Sequence, residues 1–201
     1  MTLIRSLLAR QLLTRSAVRY ATAGWPVLPG TWWDTSRHRY WCPEPGCRTR
    51  GLHPAHQPAT TDPAVVRAWW AAHPYTVLIP TGHAVDVLEV PGPLGRRVWR
   101  RLHLHGIPLP AASTPGGEWL LFTAPASTAV AVDAAPAGAV QHGTGSWVPA
   151  PPSALGRGPV RWEHAPWISD WTLPQPEPVL AVLTAPGRQP HADPHTTAHR
   201  T

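Results

Sequence analysis

The stretch YTVLIPTGHAVDVLEV, residues 75–90, decides the fold. Tyr75 to Ile79 is a short apolar run, and Ala84 to Val90 is a second; both read as strands. Thr81-Gly82-His83 between them supplies a turn. Pro91-Gly92-Pro93 then breaks the second strand and opens a helix from Leu94 to His105, closed by Gly106. Leu94, Val98 and Leu102 recur at a four-residue step, which gives that helix one apolar line. Short strands followed by a helix with one apolar face predict an α/β domain of the α+β kind.

Working towards the N-terminus, Asp62 (or Thr61) is an N-cap and Pro63 a first-turn residue for a helix that Pro74 ends. Val66, Trp69 and Trp70 are its buried stripe. The segment from Trp32 to Thr60 reads as loop, and Trp25 to Leu28 as a short strand. Met1 to Tyr20 reads as an amphipathic helix stopped by Gly24, with Leu3, Leu7, Leu8, Leu12 and Leu13 set against Arg5, Arg10, Arg15 and Arg19. Its composition is also that of a transit peptide. The reading adopted is the first helix of the domain, with the leucine stripe on the core.

Towards the C-terminus, Pro115-Gly116-Gly117 turns into a strand from Trp119 to Thr123. An Ala/Pro/Val-rich excursion fills 125–139, and short strands follow at Ser146 to Ala150 and Val160 to Trp162. The organisation expected is a helix over 1–19 that belongs to the domain, the domain proper over 20–171, and a disordered Pro/His-rich tail over 172–201.

Composition narrows the partners. The 201-residue chain carries a net charge of +6, and all 17 of its cationic Lys/Arg positions are Arg. Arginine forks onto phosphate, so a polyanionic partner fits, although a high-GC codon bias also yields such a composition. Two cysteines cannot build a secreted disulfide framework, and no apolar run is long enough for a membrane span. A cytoplasmic protein without membrane association is expected.

Several ordered pieces resemble the N-terminal domain of bifunctional DNA primase/polymerases, the prim-pol family. They are Tyr20-Ala-Thr-Ala-Gly-Trp-Pro-Val-Leu-Pro29, Ala59-Thr-Thr-Asp62 with Trp69-Trp70, Ile79-Pro-Thr-Gly82 and Asp86-Val-Leu-Glu-Val90. Thr114-Pro-Gly-Gly117 with Leu120-Leu-Phe122, Ala150-Pro-Pro-Ser153 and Val160-Arg-Trp-Glu-His-Ala-Pro166 complete the set, which spans roughly Tyr20 to Trp167. The resemblance implies a single domain in which a mixed β-sheet with packed helices carries a polymerase site, and nucleotidyl transfer with Mg²⁺ or Mn²⁺.

Two-metal transfer needs acids converging on cations about 3.5–4 Å apart. None of the eleven acids here stands two residues from another, the spacing that puts side chains on one face of a strand. Aligned on Val87-Leu88, Glu89 takes the place of the family's first metal acid, while Pro91 stands at the second. The family's histidine falls at Trp119, and its later acid near Val140. Glu89 is therefore the one matched metal acid, and Glu118 the first candidate to be recruited beside it. Asp86 reads as an outward-facing polar residue.

Two further features carry chemistry. Cys42-Pro-Glu-Pro-Gly-Cys47 followed by His53 and His56 offers thiolates and imidazoles for a structural, tetrahedral Zn²⁺, with His38 as an alternative fourth ligand to His56. Two free thiols in a loop is the other reading. Arg96, Arg97, Arg100 and Arg101 lie opposite the apolar line of their helix, as a phosphate-tracking face or as an ordinary solvated one. Trp32, Trp33 and Trp41 sit in loops, where they either stack on bases or pack on the cysteine loop; packing is the reading preferred. The expected function is a degenerate prim-pol domain that binds nucleic acid or a replication partner without catalysis. An active metal-dependent nucleotidyltransferase and a non-catalytic protein-interaction module are the alternatives.

Overall fold

The computed structural model describes residues 2–55, 57–126 and 138–185. Its first helix, α1, covers Thr2–Thr22 and is followed by β1 (Leu28–Gly30), β2 (Trp32–Asp34), β3 (Arg39–Trp41) and α2 (Pro63–Ala72). Next come β4 (Thr76–Pro80), β5 (Asp86–Pro91), α3 (Gly92–Leu104), β6 (Ala111–Ser113) and β7 (Glu118–Thr123). Beyond residue 137 lie β8 (Val140–His142), β9 (Trp147–Pro149), β10 (Ala154–Leu155), β11 (Gly158–Pro159), β12 (Arg161–His164) and α4 (Pro176–Thr184). No described helix is long and apolar enough to cross a membrane.

The α+β class expected from the sequence is the class observed. A five-stranded sheet runs β12-β6-β7-β5-β8, a three-stranded sheet runs β1-β4-β9, and two hairpins pair β2 with β3 and β10 with β11. Where a mixed sheet was expected, every described pair is antiparallel. The reason is topological. Strands β5 and β6, joined by α3, run in the same direction, but β7 inserts between them and is antiparallel to both, a split β-α-β unit.

Period-two alternation sends the residues of β5 and β7 to two different cores. Leu88, Val90, Trp119 and Leu121 pack with Val98 and Leu102 of α3 and with Val179 and Leu183 of α4. Val87, Leu120 and Phe122 face the other way, into a cluster with Tyr20 and Ala17 of α1, Val66 and Trp70 of α2, and Val77 and Ile79 of β4. Gly95 is what lets α3 lie close on β7, because a Cβ there would come within 2.4 Å of the Trp119 Cβ. The Pro-Pro-Ser loop has a structural use: buried Ser153 accepts the Val77 N–H at 2.8 Å through its hydroxyl.

Five expectations need correction. Residues 172–201 were expected to be a disordered tail, yet Pro176–Thr184 is α4, whose Val179 and Leu183 are buried against the α3 side of the sheet; residues 186–201 of that tail lie outside the described residues. Apolar residues three and four apart carry that packing despite the flanking prolines. The leucine stripe of α1 was expected on the core, but Leu7, Leu8 and Leu12 are exposed, and the helix is anchored instead by Ala17, Tyr20 and Ala21. Trp32 to Thr60 is not all loop, since β2 and β3 form a hairpin within it, and the strand expected at Trp25 to Leu28 pairs from Leu28 onward. Asp86 does not face outward. It is 6% exposed, and its Oδ2 accepts the Ala126 N–H at 3.0 Å.

Candidate functional site

Glu89 sits near the middle of the five-stranded sheet, on β5 between β7 and β8. It points to the face opposite α3, because its neighbours Leu88 and Val90 are committed to the α3 core. There it lines a cleft of about 350 Å³ with Glu118 and Leu120 of β7, Tyr40 of β3, Leu155 of β10 and Arg157 of the following turn.

The register fixes what meets Glu89. Directly across β8 is Val140, and His142 pairs with Val87. His142 reaches back along the shared face, and its Nε2 lies 2.9 Å from Glu89 Oε2. Its Nδ1 lies 3.0 Å from Ser146 Oγ. An ionised carboxylate only accepts, so Nε2 carries the proton and, in the neutral ring, Nδ1 accepts from the serine hydroxyl. Glu89 is thereby paired with an imidazole.

The other positions the resemblance singles out fall as follows. Pro91 ends β5 opposite Glu118. Trp119 is 6% exposed in the α3 core, on the face away from Glu89. Glu118 lines the Glu89 cleft, but its Oε2 accepts from the Thr114 hydroxyl of its own turn. That hydrogen bond, with a smaller attraction from Arg157, holds its carboxyl below the usual range. Asp133 lies outside the described residues. Among the described residues, no second carboxylate joins Glu89 in a group of three ligands.

Such a group does form at the cysteine loop. One ligand atom each from Cys42, Cys47 and His53 lies within 4.8 Å of the others. His53 Nε2 is 3.4 Å from Cys47 Sγ, and Nδ1 is 3.0 Å from the Gly51 carbonyl oxygen. A carbonyl cannot donate, so Nδ1 carries the proton and the Nε2 lone pair faces the thiols, the outer hydrogen bond typical of a metal-bound histidine. The donor set therefore fits a soft divalent ion such as Zn²⁺. His56 lies outside the described residues. His38 is not in the group: it sits at the hairpin tip in edge contact with Trp33, with ring centroids 6.3 Å apart.

His53 is anchored independently of any metal. Thr31 N–H donates to the His53 carbonyl at 2.9 Å, and the Thr31 hydroxyl donates to the Gly51 carbonyl at 3.1 Å. Between Cys42 and Cys47 the backbone has a single turn bond, Cys47 N–H to the Glu44 carbonyl at 3.2 Å. An ion on these three side chains would tie the end of β3 to an anchored segment.

Arg96, Arg97, Arg100 and Arg101 line a surface groove of about 390 Å³ with Pro93 and Leu104, on the solvent side of α3. Neither of the two described ion pairs involves them. Because α3 packs on the Leu88/Val90 face, this arginine surface and the Glu89 cleft lie on opposite sides of the sheet.

Sequence reasoning missed His142, Ser146 and Tyr40. The first two border a tight turn after a three-residue strand, too short for a periodic signal. Tyr40 belongs to a hairpin read as loop.

No curated protein and no solved structure matches the chain. The family model described as Bifunctional DNA primase/polymerase, N-terminal, matches residues 17–194, and with the split sheet and its Glu89 cleft now placed, the chain belongs to that family.

Proposed function

We propose that this prim-pol domain binds nucleic acid through the arginine face of α3 and no longer carries out two-metal nucleotidyl transfer. The observation that carries this reading is the surroundings of Glu89: Val140 stands across from it and His142 is hydrogen-bonded to it. One carboxylate already engaged by an imidazole is a poor ligand for Mg²⁺, which demands several hard oxygens in near-octahedral array. The four arginines supply the phosphate contacts, and a structural zinc on Cys42, Cys47 and His53, with His56 as the fourth ligand, orders the Pro-rich loop. A replication protein is the alternative partner for the same basic surface.

The test is oligonucleotide binding under a salt titration. Affinity is expected to fall steeply with salt, with a log–log slope of about −0.7 per phosphate contacted in a single strand. Arg100→Ala with Arg101→Ala should flatten that slope. A salt-independent or absent interaction would instead assign the surface to a protein partner.

Glu89 and Glu118 share one cleft, which favours a second reading, an active transferase using both. Primer synthesis or extension with Mn²⁺ or Mg²⁺ that disappears in both Glu89→Ala and Glu118→Ala would establish it.

A further inference from the structure

The β2–β3 hairpin presents two unlike faces. Trp33 and Tyr40, directly paired, turn inward: their rings meet edge-on at 5.3 Å, and a Cβ on Gly156 would lie 3.2 Å from the Trp33 ring. Trp32, the cross-strand partner of Trp41 on the face opposite Trp33 and Tyr40, is covered by stacking on His73 at 5.4 Å. Arg39 and Trp41, two apart on β3, turn outward. Trp41 is 39% exposed, although it is among the largest apolar side chains in the protein.

Its surroundings are cationic. The guanidinium of Arg39 lies 5.4 Å from the Trp41 ring centroid, and that of Arg37 lies 5.6 Å from it. Arg48 and Arg50 are exposed on the same excursion of the chain, just beyond Cys47. Arg37 is paired with Asp34 at 2.7 Å; Arg39, Arg48 and Arg50 have no carboxylate within ion-pair distance among the described residues.

An exposed indole flanked by two guanidinium groups, of which Arg39 has no described ion-pair partner, matches one partner chemistry: an unstacked base for the ring and a phosphate for the arginine. We infer that Trp41 with Arg39, on the exposed part of the β2–β3 hairpin, is a stacking platform for single-stranded nucleic acid. A duplex keeps its base faces covered and has nothing to offer Trp41. A metal held by Cys42, Cys47 and His53 would stiffen the platform, since Cys42 adjoins Trp41 and the His53 carbonyl accepts the Thr31 N–H. This inference rests on the nucleic-acid reading above but uses a surface separate from α3.

The experiment measures fluorescence anisotropy of labelled oligo(dT) and of a duplex of equal length with the full chain. Trp41→Ala is expected to weaken oligo(dT) binding roughly tenfold, to leave duplex binding unchanged, and to be largely rescued by Trp41→Phe. Arg39→Ala, at an exposed site, should weaken oligo(dT) more than duplex. Equal losses on both probes, or wild-type oligo(dT) affinity in Trp41→Ala, would overturn the platform while leaving the α3 reading intact. Failure of the unaltered chain to bind either probe would overturn both. Circular dichroism and metal content, unchanged in these variants, would confirm that folding is not the cause.

Discussion

Glu89 and Val140 are directly paired across β5 and β8. Cross-strand partners hold their Cβ atoms about 4.5–5.5 Å apart, close enough for two carboxylates to share one ion. An acid at position 140 would therefore stand within reach of an ion held by Glu89. Val140→Asp combined with His142→Ala is expected to bind Mn²⁺ at least about tenfold more tightly than the unaltered chain. Electron paramagnetic resonance of free Mn²⁺ reads this directly. Equal weak binding by both proteins would show that the register does not bring the two side chains together.

Metal analysis checks the cysteine loop. The purified chain is expected to hold about one Zn²⁺. Cys47→Ser should lose it, and hydrogen exchange should then quicken over Arg39–Trp41 while β5 and β7 stay protected. A metal-free chain with a slowly exchanging hairpin would show that packing on Gly156 is enough.

Close packing of α3 on β7 makes Gly95 sensitive. Alanine is the better helix former by about 1 kcal/mol, yet the added methyl meets Trp119 at 2.4 Å. Gly95→Ala is expected to destabilise the domain by about 1–3 kcal/mol in denaturant unfolding. Leu183→Ala, on α4, should cost about 2–5 kcal/mol, as for a buried leucine elsewhere. A near-neutral Leu183→Ala would mean that α4 is not part of the core.

Acid should weaken the contact between α3 and β12. The His164 ring lies tilted beside Trp99, centroids 5.6 Å apart, with the His103 ring at 6.5 Å. Burial, and then the neighbouring His103, lower the His164 pKa below its ordinary 6.5. The unfolded chain therefore takes up this proton more readily than the folded one. The stability contribution is complete above about pH 6.5 and is lost as pH falls from there through the lower folded value. His164→Gln should flatten that acid limb of a thermal-unfolding series. An unchanged pH profile would remove His164 as its cause.

Much of the fold was legible because its signals are strong. Asp62 before Pro63 marks α2, and the side chain does accept from Ala64 and Val65 N–H. The Leu94/Val98/Leu102 line marks α3, and Val98 and Leu102 are buried. What escaped was set by contacts between distant segments. Strand β8 has three residues and exists because β5 offers it an edge. Helix α4 exists because the α3 side of the sheet has apolar surface to cover. Asp86 is buried because a later loop donates Ala126 N–H to it. At the candidate site, Glu89 could be singled out from the order of residues, whereas its cross-strand pairing with Val140 depends on register. The hydrogen bond from His142 could not be read, since it depends on the register of an unrecognised strand.

The split of the sheet into an arginine-backed side and a cleft-bearing side has a geometric cost for any ligand that would use both. A helix packed on a sheet adds a layer roughly 10 Å thick, and the sheet itself must be rounded at its edge. A short oligomer held by Arg96, Arg97, Arg100 and Arg101 is confined to the back of the protein, out of reach of Glu89. Only a strand long enough to bend past the β8 or β12 margin can touch front and back at once, so apparent affinity should climb with oligomer length in two stages rather than smoothly.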